Sequence, residues 1–142
     1  ELMEQTGFPG MKILQFAFGS DASHAYLPHN YPVNCVAYTG THDNNTTKGW
    51  FEEATAHEKE FCARYLGGHV SNIAREMIRT LWQSPAGLAI APLQDFMQLG
   101  ASARMNTPST VGSNWAWRVK PDALTDDLAG WIREINTVFG RM

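Results

Sequence analysis

The stretch Gly40-Thr41-His42-Asp43-Asn44-Asn45-Thr46-Thr47-Lys48-Gly49-Trp50 sets a carboxylate, an imidazole, two amides and three hydroxyls against the end of an apolar run. That mix suits a polyhydroxylated ligand. A carboxylate accepts from paired hydroxyls, an imidazole or amide donates to the next oxygen, and an aromatic face covers the apolar side of a pyranose ring. The same composition serves a polar, capped loop that leads into a helix, and composition alone leaves both readings open.

Asp21 and Asp95 follow two other apolar runs, so a carboxylate stands after each of three strand-like segments. In parallel α/β architectures ligands gather at the carboxyl ends of the strands. Asp21, behind Gly19-Ser20, is more simply an Asx turn, and Asp95, beside a short helix, a helix cap. A long polar connection, residues 103–118, carries Arg104, Asn106, Trp115 and Trp117. Its length marks it as functional or disordered, and two tryptophans argue against disorder. In an extended segment Trp115 and Trp117 share one face, where packing is the simpler role and sugar stacking the alternative. His24 and His29 have neither helical nor strand spacing for shared metal ligation, and no Cys/His cluster is present. With no GxxxxGK[ST] or GxGxxG either, neither metal nor cofactor is expected.

The elements that must position these groups follow from the apolar pattern. Residues 11–18, 34–39 and 87–92 are near-continuous apolar runs bounded by Gly, Pro or Asn, the pattern of parallel strands buried on both faces. Helical spacing predicts helices over residues 57–66, 71–83 and 94–99, and a closing helix from Thr125 through Leu128, Trp131, Ile132, Ile135, Val138 and Phe139. Pro28 and Pro32 make a full helix improbable between the first two strands, so that crossover is expected to be irregular. The order predicts an α/β fold with a parallel sheet. Three parallel strands leave two bare edges, which implies a partial barrel or a partial open sheet, and both architectures satisfy the pattern.

The chain has 142 residues and 44% hydrophobic content, enough for one domain with a core. A net charge of -3 with scattered Lys and Arg argues against nucleic acid. No apolar run approaches the roughly 18 residues of a membrane span. Cys35 and Cys62 lie in apolar stretches without CxxC spacing, which predicts buried free thiols and a cytoplasmic setting. Glu1 in place of an initiator Met, with Gly7-Phe8-Pro9-Gly10 arriving early, suggests a piece of something larger.

Six motifs occur in order: Gly7-Phe8-Pro9-Gly10-Met11-Lys12, Leu27-Pro28-His29-Asn30-Tyr31, Gly40-Thr41-His42-Asp43-Asn44, Pro92-Leu93-Gln94-Asp95, Ala103-Arg104-Met105-Asn106 and Asn114-Trp115-Ala116-Trp117-Arg118. Together they resemble the C-terminal part of the 4-α-glucanotransferases, or amylomaltases, relatives of the α-amylase superfamily. The resemblance implies the C-terminal segment of a TIM (β/α)₈ barrel, with the three strands as its sixth to eighth and no separate second domain over residues 1–142. It implies transfer of α-1,4-glucan segments between maltodextrin or starch chains with retention, through a carboxylate nucleophile and a second carboxyl acting as acid then base. Both of those groups would precede Glu1, making the rest of the barrel this chain's partner and the chain alone inactive. Asp43 matches the family's third catalytic carboxylate and His42 its neighbour; Asn44, Asn106 and His29 match substrate-binding positions. Asn45 stands where family members often carry Asp.

Three alternatives remain beside that expectation: an α-glucan hydrolase of the same superfamily, an isolated glucan-binding module, and a self-sufficient enzyme pairing Asp21 with Asp43. The last needs carboxyl groups about 5 to 5.5 Å apart for retaining chemistry.

Overall fold

The computed structural model describes residues 2–141. In chain order the elements are α1 (Leu2–Thr6), β1 (Gly10–Ile13), β2 (Cys35–Tyr38), α2 (Thr47–Glu53), α3 (Ala56–Tyr65), α4 (Ile73–Trp82), β3 (Leu88–Ile90), α5 (Leu93–Phe96) and α6 (Asp126–Val138). The sheet has the order β1-β2-β3 with both pairings parallel, the α/β arrangement expected from the apolar runs.

The strands are shorter than those runs. After Ile13 the chain coils into a 3-10 segment, Leu14–Gly19, which turns Leu14, Ala17 and Phe18 into the core. Phe18 becomes an aromatic hub, with ring centroids 5.6 Å from Trp50, 6.1 Å from Phe61 and 6.0 Å from Tyr65. Residues 19–32 form the irregular crossover that the prolines predict, with a 3-10 turn at Pro28–Asn30 in place of a helix. On α4 the predicted stripe is realised: Ile73, Ala74, Met77, Ile78, Leu81 and Trp82 are all buried. Arg141 closes its far end, donating to the carbonyls of Trp82, Ser84 and Ala86 at 2.6, 2.8 and 2.9 Å.

One expectation needs correction. The strands are not buried on both faces. Cys35 and Ala37 lie on the covered side, whereas the register aligns Met11, Val36 and Leu88 in one row and Ile13, Tyr38 and Ile90 in the next on the opposite side. There Met11 is 55% and Leu88 52% exposed; Ile13, at the end of β1, is buried, but among the described residues no layer covers the rest of that face. The closing helix forms as expected, though it is thinly packed: Ile135 is its buried residue, and Val138 is exposed. Its hold on the body comes from Trp131 against Phe96 at 5.8 Å and from the Trp82 indole N–H donating to Asn136 Oδ1 at 2.8 Å.

Cys35 and Cys62 are buried free thiols, and burial pushes the Cys62 thiol up to about 12. Among the described residues, no helix is long and apolar enough to cross a membrane.

Candidate active site

All three strands point their carboxyl ends toward the loop at residues 40–46, which leaves β2 through Thr39 and enters α2 at Thr47. Thr46 caps α2, its hydroxyl accepting from the Gly49 backbone N–H at 3.1 Å. A Cβ at Gly40 would stand 2.5 Å from the Gln15 amide nitrogen, so a larger residue there would push the Gln15 side chain out of its place beneath the loop. Within the loop, Asn44 Oδ1 accepts from both the backbone N–H and the hydroxyl of Thr41, at 2.9 and 2.8 Å, which closes a tight turn around His42-Asp43. That spends the Asn44 carbonyl on structure.

The polar connection at residues 103–118 packs onto this loop and completes the site. The Asn106 side-chain amide donates to Asp43 Oδ1 at 2.7 Å, and the Asn106 backbone N–H donates to the His42 carbonyl at 3.1 Å. Arg104 bridges the two segments, donating to the carbonyls of Asp43 at 2.7 Å and Asn106 at 2.9 Å. The His42 Nε2 lies 3.4 Å from Asp43 Oδ1, and both side chains are half-exposed. Trp115 sits beside them, its ring centroid 5.1 Å from that of His42.

Two clefts open on this constellation. One, of about 200 Å³, is lined by residues including Thr41, His42, Asn44, Arg104 and Trp115. The other, of about 350 Å³, takes in Asp43 together with Met11, Tyr38 and Ile90 of the open sheet face. Thr41, His42 and Pro92 line both. A carboxylate held by the Asn106 amide, an imidazole, the amide of Asn44 and an exposed indole therefore converge at the strand ends. That set can grip vicinal hydroxyls and cover an apolar ring face.

The structure brings His42, Asp43, Asn44 and Asn106 together, as the sequence suggests. It sets His29 apart. His29 Nε2 donates to the Ala22 carbonyl and Nδ1 accepts from the Tyr65 hydroxyl, both at 2.9 Å, so its two ring nitrogens are engaged in pinning the crossover. Asp21 is the Asx turn expected, accepting from the Ser23 N–H and hydroxyl, and it lines a separate cleft with His57 and Phe61. It shares no site with Asp43. Trp115 and Trp117 do not share a face, because Trp115 has φ +62° and breaks the extension; Trp117 lines another cleft with Leu99 and Ala123. Asp95 does not cap its own helix. Its carboxylate lies beneath the loop, bonded to Thr39 and Thr47. Among the described residues no group of three His, Cys, Asp or Glu is arranged to hold a metal ion.

An α/β unit whose polar and aromatic cleft lies at the carboxyl ends of parallel strands has the architecture of a ligand-processing α/β enzyme. Its residues 1–125 match the family described as 4-alpha-glucanotransferase. A 4-alpha-glucanotransferase of Clostridium butyricum is 49% identical over 99% of this chain and 29% of its own length. The Thermus thermophilus enzyme of the same name is 44% identical over 93% of this chain and 28% of its own. The solved structure of amylomaltase from Streptococcus agalactiae in complex with acarbose superposes with a TM-score of 0.92 at 39% identity, covering 98% of this chain and 28% of that one. The chain belongs to the 4-alpha-glucanotransferase family, and it spans under a third of the length of these relatives.

Proposed function

We propose that this chain supplies one wall of the active site of a 4-α-glucanotransferase, which transfers α-1,4-glucan segments between maltodextrin or starch chains with retention of configuration. The observation that carries this reading is the Asp43 carboxylate, held by Asn106 beside His42 and Trp115 at the strand ends. The acarbose bound by the Streptococcus agalactiae amylomaltase supports a sugar ligand.

In this reading β1, β2 and β3 are the sixth to eighth strands of a (β/α)₈ barrel, residues 1–142 form the C-terminal part of one catalytic domain, and the open sheet face looks into the barrel. The exposed Met11 and Leu88, with Val36, Tyr38 and Ile90, are then covered by the remaining strands, which also pair the bare edges of β1 and β3. A carboxylate from that remainder attacks the anomeric carbon of the donor and forms a glycosyl ester, while a second carboxyl protonates the departing oxygen. The 4-hydroxyl of an acceptor sugar then displaces the ester, giving its proton to the second carboxyl. Asp43 and His42 hold the hydroxyls of the ring at the cleavage point, with hydrogen bonds that tighten as it flattens toward an oxocarbenium ion. Asn106 orients Asp43, Asn44 offers its amide N–H groups, and Trp115 covers the apolar ring face.

The test uses the full-length parent protein. With maltotriose, glucose together with longer maltodextrins is the expected product set; glucose and maltose alone would assign hydrolysis instead. Asp43→Asn is expected to lower kcat by about 10²- to 10³-fold, the scale of losing a preorganised transition-state contact.

A further inference from the structure

Asp95 is 1% exposed, yet among the described residues no cation is bonded to it. Its three partners are neutral donors. The Thr39 hydroxyl donates to Oδ2 at 2.6 Å, the Thr47 backbone N–H donates to Oδ1 at 2.7 Å, and the Thr47 hydroxyl donates to Oδ2 at 2.7 Å. Thr39 and Thr47 are the residues immediately before and after the loop at 40–46, and both are fully buried. One carboxylate on α5 therefore grips the end of β2 and the first residue of α2 together. The grip continues beneath the loop: the buried Gln15 amide donates to the Asn45 carbonyl at 3.0 Å and to the Thr47 hydroxyl at 3.4 Å.

Such a carboxylate is costly for stability. Burial raises the Asp95 pKa above the ordinary carboxylate value, while the Thr39 and Thr47 donors pull it the other way. An apolar side chain of similar volume would avoid that cost, but it could not fix three donors from two elements in one geometry. What the carboxylate gains is direction.

We propose that Asp95 is a positioning residue for glucan transfer: by tying Thr39 to Thr47 it closes the base of the loop and holds His42 and Asp43 in their working geometry before substrate arrives. This rests on the reading of His42 and Asp43 given above. The carboxylate is buried beneath the loop and lines neither cleft, so its loss misplaces the groups that stabilise the transition state more than those that hold the ground state.

The experiment measures kcat and KM on maltotriose for the full-length enzyme and for Asp95→Ala, Asp95→Asn, Thr39→Val and Asp43→Asn, each confirmed folded by circular dichroism. Asp95→Ala is expected to lower kcat about tenfold or more with KM changed by less than about threefold. Asp95→Asn should recover part of the loss, because its amide oxygen can accept from the Thr47 N–H while the hydroxyls rotate to accept from its nitrogen. Thr39→Val removes one of the three bonds at nearly constant shape and should lower kcat by a smaller factor. If Asp95→Ala does not fold, Asp95→Asn and Thr39→Val decide: wild-type kcat in both overturns the proposal. A folded Asp95→Ala with wild-type kcat, or one altered in KM alone, overturns it too. The Asp43→Asn arm separates the two levels: a fully active Asp43→Asn defeats the functional reading, whereas an inactive Asp43→Asn beside wild-type Asp95 and Thr39 variants defeats the positioning role alone.

Discussion

Asp43 is surrounded by groups that fix both its main chain and its side chain, and Arg104 joins the two segments that do so. Its guanidinium reaches two carbonyls in different directions, those of Asp43 and Asn106. A lysine ammonium is a point donor on a flexible stem and cannot reproduce that fork. Arg104→Lys in the full-length enzyme is therefore expected to lower kcat/KM on maltotriose about tenfold while leaving the melting temperature nearly unchanged; steady-state kinetics beside a thermal melt checks it. At this scale the sequence exposes Thr41-His42-Asp43-Asn44, because four hydrogen-bonding types at one apolar strand end stand out against their background. It hides what lies far along the chain. Asn106 meets Asp43 across 63 residues, and no local pattern announces the pair. Asp95 follows the capping rule in spirit, but the helix N-terminus it serves belongs to α2 and comes beside it only in the fold. Trp115 escapes the period-two reading because one left-handed residue reverses the alternation. Gln15, a polar side chain inside an apolar run, was the available signal for the buried network.

The helices divide by how much local information they carry. α4 has a full apolar stripe, and its extent is close to the periodic segment. α3 carries a capping box, with Thr55 and Glu58 satisfying each other's backbone N–H groups at 3.3 and 2.8 Å. Thr55→Ala should cost about 1 kcal/mol of stability, the usual worth of such a cap, and should leave transfer activity unchanged because the box faces solvent away from the cleft. Thermal denaturation and a maltotriose assay read the two halves of that statement. α2 has seven residues, too few for a period to emerge, and opens within the polar loop, so its start is visible only through Thr46. The run at residues 11–18 is ambiguous for a different reason: unbroken hydrophobicity fits a buried strand and a buried coil alike, and Phe18's aromatic neighbours decide between them.

On the scale of the whole chain, the sheet is finished on one side only. Met11 and Leu88 stand exposed on a parallel sheet whose outer strands also present edges without a partner strand, a combination that favours association. The isolated 142-residue chain is accordingly expected to self-associate or to melt without cooperativity, and sedimentation velocity across a concentration series is the measurement. A monodisperse, cooperatively melting monomer would contradict it. The bare edges were apparent in the strand count, and the apolar runs announced a covering layer; that the layer is missing from one face could be seen only once the register aligned the rows.

The bonds that shape the loop at residues 40–46 come from Gln15, Asp95, Arg104 and Asn106, all within this one stretch of polypeptide. The wall of the site that they build is a self-contained casting. Those ties travel with the segment, so a graft of it between relatives is expected to carry the loop's geometry along, and what such a graft must match is the apolar surface on which the casting is seated.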